Sequence, residues 1–151
     1  MTEIDIPTRL AAVRGEIAGV TRPWSHDIAI VAVTKGFDEQ VLVAAIDAGC
    51  EQIGENYAQE LLSKRATIER RRPEVHFIGR LQSNKVRQLV DLVDVWASLD
   101  RSSIIDVVAR RSTGARVLIQ VNATGETNKG GCPLDEVAEV ICNRLFCDCR
   151  R

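Results

Sequence analysis

The sequence predicts an α/β fold with parallel strands: a partial (β/α)8 TIM-type barrel with an N-terminal helix and about five β/α units, the last three units being missing. Three observations predict it. Apolar, strand-like segments begin near residues 28, 52, 75, 94 and 116, and helix-like segments separate them. Such strict alternation requires parallel strands joined by crossover helices. The first strand is followed by Val33-Thr34-Lys35-Gly36-Phe37 and not by the G-x-G-x-x-G turn of a dinucleotide-binding sheet. Finally, the strand tips carry Lys35, Glu55-Asn56, Gly79, Asp100 and Asn122, and barrels keep their functional residues at those tips.

The elements follow in order. Leu10, Val13, Ile17 and Val20 recur on one helical face that starts at Pro7 or Thr8 and stops at Thr21-Arg22-Pro23. Ile28 to Thr34 reads as a fully buried strand ending at Lys35. Asp38 caps a helix bearing Val41, Leu42, Ala45 and Ile46, which Gly49 closes. A short strand at Glu51-Gln52-Ile53-Gly54 leads to one helix from about Tyr57 to Arg71, broken before Pro73.

Val75-His76-Phe77-Ile78 is the third strand, and Ser83 caps the helix of Val86, Leu89 and Val90. Asp94 to Ser98 forms the fourth strand, followed by a helix with Ile104, Ile105 and Val108 that ends near Gly114. Arg116 to Val121 is the fifth strand. After a Gly-rich loop, Pro133 opens a helix with Val137, Val140 and Ile141 on one face.

Composition excludes several classes. The chain of 151 residues is 45% hydrophobic and 27% charged, enough for one domain with a core. A net charge of -1 argues against a dedicated nucleic-acid binder. No apolar run approaches the ~20 residues needed to span a bilayer, and the first residues are acidic without a signal-peptide core. An odd count of five cysteines argues against a disulfide framework, so a cytoplasmic protein is expected. Cys142, Cys147 and Cys149 lack the paired spacing of a zinc site, and no metal is expected. The basic stretch Lys64, Arg65, Arg70, Arg71 and Arg72 reads as a solvated helix face.

Lys35 carries the chemistry. A strand gains nothing from a lysine at its tip, whereas burial favours a neutral amine, and a neutral amine attacks aldehydes. Asn56 offers an amide at the mouth of the sheet, or else caps a helix. His76 faces the barrel interior if Phe77 faces the helices, as ligand or as satisfied core. The loop from Val121 to Gly131 has a phosphate-cradling composition but does not match G-x-x-x-x-G-K-[ST].

Five strings appear in one order: Ala32-Val33-Thr34-Lys35, Ala45-Ile46-Asp47-Ala48-Gly49, Ile53 through Glu60, His76 through Lys85, and Gln120-Val121-Asn122 through Gly130. Together, over about residues 8–145, they resemble the pyridoxal-phosphate homeostasis proteins, a PLP-binding, alanine racemase N-terminal-like family. The resemblance implies a fold-type III PLP barrel with pyridoxal 5'-phosphate held as a Schiff base on Lys35. It implies Asn56, His76 and Gly79 as further cofactor-binding residues. It also implies homeostasis of PLP and amino acids without established catalysis. The alternatives are a fold-type III racemase or decarboxylase, or a degenerate fragment without ligand.

The family's phosphate grip lies after its seventh and eighth strands, beyond what this chain contains. Residues 1–145 are therefore expected to form an incomplete PLP-binding barrel domain, and 146–151 a divergent Cys-rich tail left by truncation or frameshift. A monomer is expected, with the open barrel edges offering a route to association.

Overall fold

The computed structural model describes residues 5–126 and 129–145, and side chains as far as residue 141. A five-stranded parallel sheet organises it, in the order β1 (Val31–Val33), β2 (Gln52–Glu55), β3 (Glu74–Phe77), β4 (Val95–Leu99) and β5 (Arg116–Ile119). Space follows sequence without a reversal. A doubly wound sheet would need one. With right-handed crossovers, this order puts every connecting helix on the same face.

Helix α1 (Ile6–Gly19) precedes the sheet, and α2 (Glu39–Asp47) crosses from β1 to β2. The next crossover holds two helices, α3 (Ala58–Ser63) and α4 (Arg65–Arg71), where the sequence predicts one. The joint is Lys64, at φ -93° and ψ 3°. Helices α5 (Ser83–Leu89), α6 (Ser102–Arg111) and α7 (Val137–Leu145) complete the layer, with a 3₁₀ turn at Leu134–Glu136.

Register explains the core. Ala32, Ile53 and Val75 stand side by side across β1, β2 and β3, and Glu55, Phe77 and Trp96 across β2, β3 and β4. Strand side chains alternate, so these residues share the face beneath the helices. Ile53, Val75, Phe77 and Trp96 pack there with Leu42, Leu61, Val86, Leu89, Ile104 and Val108. The Phe77 and Trp96 rings are tilted at 52°, with centroids 6.3 Å apart, a geometry suited to aromatic quadrupoles. On the opposite face, Val33 and Leu118 remain 45% and 56% exposed.

Several boundaries differ from the sequence reading. β1 is three residues long and is not fully buried: it lies at the sheet edge, Val33 is half-exposed, and Lys35 is exposed in the turn that follows. Asp5, not Thr8 or Pro7, caps α1 by accepting the Thr8 amide at 3.0 Å. Only Leu10 of the α1 stripe is buried, and Val20 is exposed. Ser83 lies inside α5; Gln82 is the flanking residue and its side chain makes no capping bond. β5 stops at Ile119, and Val121 makes an isolated bridge with Cys132 instead. Asp38 does cap α2, accepting the Gln40 and Val41 amides at 3.1 and 3.2 Å.

The residue that reverses expectation most is Lys64. Its sequence context predicts a solvated basic face, yet it is 2% exposed. Its helical neighbours behave as expected: Arg65 pairs with Glu69 at 3.0 Å, and Arg71 pairs with Asp47. The divergent tail 146–151 and the side chains of the Cys142 cluster lie outside the described residues.

Candidate functional site

Parallel strands in one register bring their C-terminal ends to one rim. Lys35 stands two residues beyond β1, Asn56 directly beyond β2, and Gly79 two residues beyond β3. Because β1, β2 and β3 are consecutive neighbours, these tips are adjacent. Lys35 is exposed, and its amine makes no hydrogen bond or ion pair with the described residues. A free primary amine at a strand rim can condense with an aldehyde.

The second and third tips touch. A Cβ at Gly79 would overlap the Asn56 carbonyl oxygen, so glycine is required here for close approach of backbone to backbone. The Ser98 hydroxyl of β4 donates to the Gly79 carbonyl and links the fourth tip to the third. Ser98 reaches it from a register irregularity between Trp96 and Leu99, a bulge that re-aims side chains.

His76 lies on the sheet face away from the core, as the packing of Phe77 requires. Its Nε2 meets Glu74 Oε1 at 2.8 Å, and Arg116 holds the other Glu74 oxygen at 2.6 Å. The Arg116 guanidinium is the main cause holding the Glu74 carboxyl below the ordinary glutamate range; the His76 contact adds to it, against partial burial. Gly54, in register with His76, is closely covered on that face: a Cβ there would meet the Ile78, Val31 and Val33 side chains at 3.2–3.4 Å.

Sequence reasoning missed what lies directly behind Lys35. Lys64 Nζ donates to the Thr34 carbonyl at 2.8 Å and to Glu55 Oε1 at 2.6 Å. The Thr34 hydroxyl donates to the same Glu55 oxygen at 2.6 Å. On the other side of Lys35, the Gly36 amide donates to Glu60 Oε2 at 2.7 Å. The available signal was spacing: Glu55, Glu60 and Lys64 run from a strand end into the following helix, within reach of one tip.

The Gly-rich loop after β5 is occupied with itself. Asn122 accepts the Gly125 amide at 3.0 Å and donates to the Glu126 carbonyl at 2.9 Å, while Lys129 pairs with Glu126 at 2.6 Å. Among the described residues no group of three His, Cys, Asp or Glu side chains could hold a metal ion. No described helix is long and apolar enough to cross a membrane.

No protein-family model matches the chain. Individual proteins do. The chain is 37% identical over 146 residues to the pyridoxal phosphate homeostasis protein of Escherichia coli strain K12, covering 90% of this chain and 62% of that protein. It is 35% identical over 116 residues to the protein of that name from Aquifex aeolicus, covering 74% and 51%. Among solved structures it resembles PipY of Synechococcus elongatus PCC7942 with PLP bound, at a TM-score of 0.74 and 27% identity over 90% of this chain and 62% of PipY. An unknown protein from Bifidobacterium adolescentis matches at a TM-score of 0.73 and 30% identity, covering 89% and 59%. The chain thus spans between 51% and 62% of the lengths of these four proteins. Its sequence and its fold agree on one assignment: the chain belongs to the pyridoxal phosphate homeostasis protein family.

Proposed function

We propose that this chain binds pyridoxal 5'-phosphate at the rim formed by the β1, β2 and β3 tips, with a Schiff-base linkage to Lys35, and serves PLP and amino-acid homeostasis. The observation that carries the reading is the unpartnered, exposed Lys35 amine at a rim whose neighbouring tips are Asn56 and Gly79. A relative of the same fold is described with PLP bound. The residues present fit the aldehyde end of the cofactor, because they offer an exposed, unpartnered amine beside the Asn56 and Gly79 tips.

When bound, PLP supplies an aldehyde that an amine can capture with loss of water, and a ring that withdraws electrons. The chain's own residues do the holding. Lys35 supplies the nucleophilic nitrogen. Asn56 supplies an amide at the second tip. His76, fixed by Glu74, presents its ring on the open face of β3. Gly79 lets the third tip lie directly against the backbone of the second at Asn56.

The unreversed strand order supports reading residues 1–145 as an arc of a (β/α)8 barrel. A cytoplasmic monomer, and binding without turnover, belong to the same proposal. The relatives are named for homeostasis and not for a reaction. The test is direct. Purified chain mixed with PLP should turn yellow, and borohydride followed by peptide mapping should fix the cofactor at Lys35. A colourless wild-type protein, or an adduct that persists in Lys35→Ala, would overturn the assignment.

A further inference from the structure

Thr34, Glu55 and Lys64 form a buried polar cluster that is poorly arranged for stability. Glu55 is 0% exposed and Lys64 2%. Both charges are desolvated, a cost that a single ion pair often fails to offset. Glu55 Oε2 accepts no hydrogen bond, although buried polar atoms nearly always do. Buried ion pairs of this kind are often replaceable by apolar side chains of similar volume without loss of stability.

The cluster does achieve a geometric result. The residue before Lys35 is held at its carbonyl by Lys64 and at its hydroxyl by Glu55, at 2.8 and 2.6 Å. Its amide donates to the Gly54 carbonyl at 3.0 Å. The residue after Lys35 is held at its amide by Glu60, at 2.7 Å. The backbone is therefore pinned on both sides of an exposed side chain that has no anchor of its own. All four holding groups come from one segment, residues 54–64, running from β2 to the end of α3.

We propose that Glu55, Lys64 and Glu60 are positioning residues, a clamp that presents the Lys35 amine to an aldehyde ligand at the strand rim. The proposal rests on the PLP-binding reading above. Condensation needs the amine on a defined line to the carbonyl carbon, and a loosely held nucleophile loses rate and occupancy together. Pinning both flanking residues limits the backbone freedom at residue 35 while leaving its side chain exposed.

Two variants test it. Glu55→Gln combined with Lys64→Met removes both charges together, so that neither is left buried and unpaired. Glu60→Ala releases the Gly36 amide from a partly exposed site. Each is compared with wild type for apparent affinity toward PLP and toward pyridoxine 5'-phosphate, which has an alcohol where PLP has the aldehyde. The clamp predicts at least a tenfold loss for PLP in both variants, less than a twofold change for pyridoxine phosphate, and a cooperative melt retained without ligand. Equal losses for both ligands, or unchanged PLP capture, would overturn it.

Amide hydrogen exchange at Gly36 and Phe37, measured without ligand, separates the clamp from the functional reading. If wild type captures no PLP, the functional reading fails. The clamp still stands if exchange quickens at least tenfold in Glu60→Ala, and falls if it does not.

Discussion

The carbonyl oxygen of Asn56 occupies the space where a side chain at residue 79 would begin. Backbone is the least yielding neighbour a new methyl can meet. Gly79→Ala is therefore expected to cost about 2–3 kcal/mol, the upper part of the range for overpacking. The midpoint of urea unfolding should fall with an unchanged slope. A midpoint equal to wild type would mean that the two tips can separate freely.

Lys35 should be dispensable to the fold. It is exposed and unpartnered, and such positions usually change stability by less than about 0.5 kcal/mol. Lys35→Ala should melt with the wild type in the absence of PLP. A clear loss of stability would assign the residue a structural role.

Acid should weaken the open face of the sheet through Glu74. Its pKa is lowered in the folded state, chiefly by the hydrogen bond from Arg116. A lowered folded pKa stabilises the protein above the unfolded value, about 4.3, and that stability is lost as pH falls through the lower folded value. Arg116→Ala should therefore lose less stability than wild type across this window. Parallel curves of unfolding free energy against pH would contradict the pairing.

Cys50 and Cys132 should be silent thiols. Both are buried, and burial raises both thiol pKa values, against the Arg14 charge in the case of Cys50. Only a thiolate reacts readily with disulfide reagents. Peptide mapping after labelling at neutral pH should find these two unmodified until denaturant is added. Rapid labelling of either in the native protein would show that its side of the core opens.

The cap of α2 offers a calibrated control. Asp38 satisfies two backbone amides that would otherwise be orphaned. Asp38→Ala should cost about 1 kcal/mol. Thermal unfolding will read it, and a neutral result would indicate that the start of α2 is held by packing alone.

Most of the architecture was legible because apolar periodicity reports it directly. The five strands and their order follow from runs such as Val75 to Ile78, and the orientation of His76 follows from the burial of Phe77. Periodicity says less about edges. Ile28 to Thr34 looks like a buried run, but burial depends on neighbours on both sides, and β1 has a paired strand on one side only. Lys64 was misread for a related reason. Among four arginines it has the composition of a solvated face, and only the fold brings Glu55 and Thr34 to its ammonium. Lys35, Asn56 and Gly79 were legible as strand tips. The contact between the last two was not, because it is made by backbone.

The alternation of faces along β3 divides labour residue by residue. Val75 and Phe77 are packed in the core, whereas His76 and Ile78 point the other way and are only partly covered. A mutational scan through this strand should trace a sawtooth, with stability falling most steeply at Val75 and Phe77. A lineage could thus change the open face of this strand by drifting at His76 and Ile78, while Val75 and Phe77 keep the molecule folded.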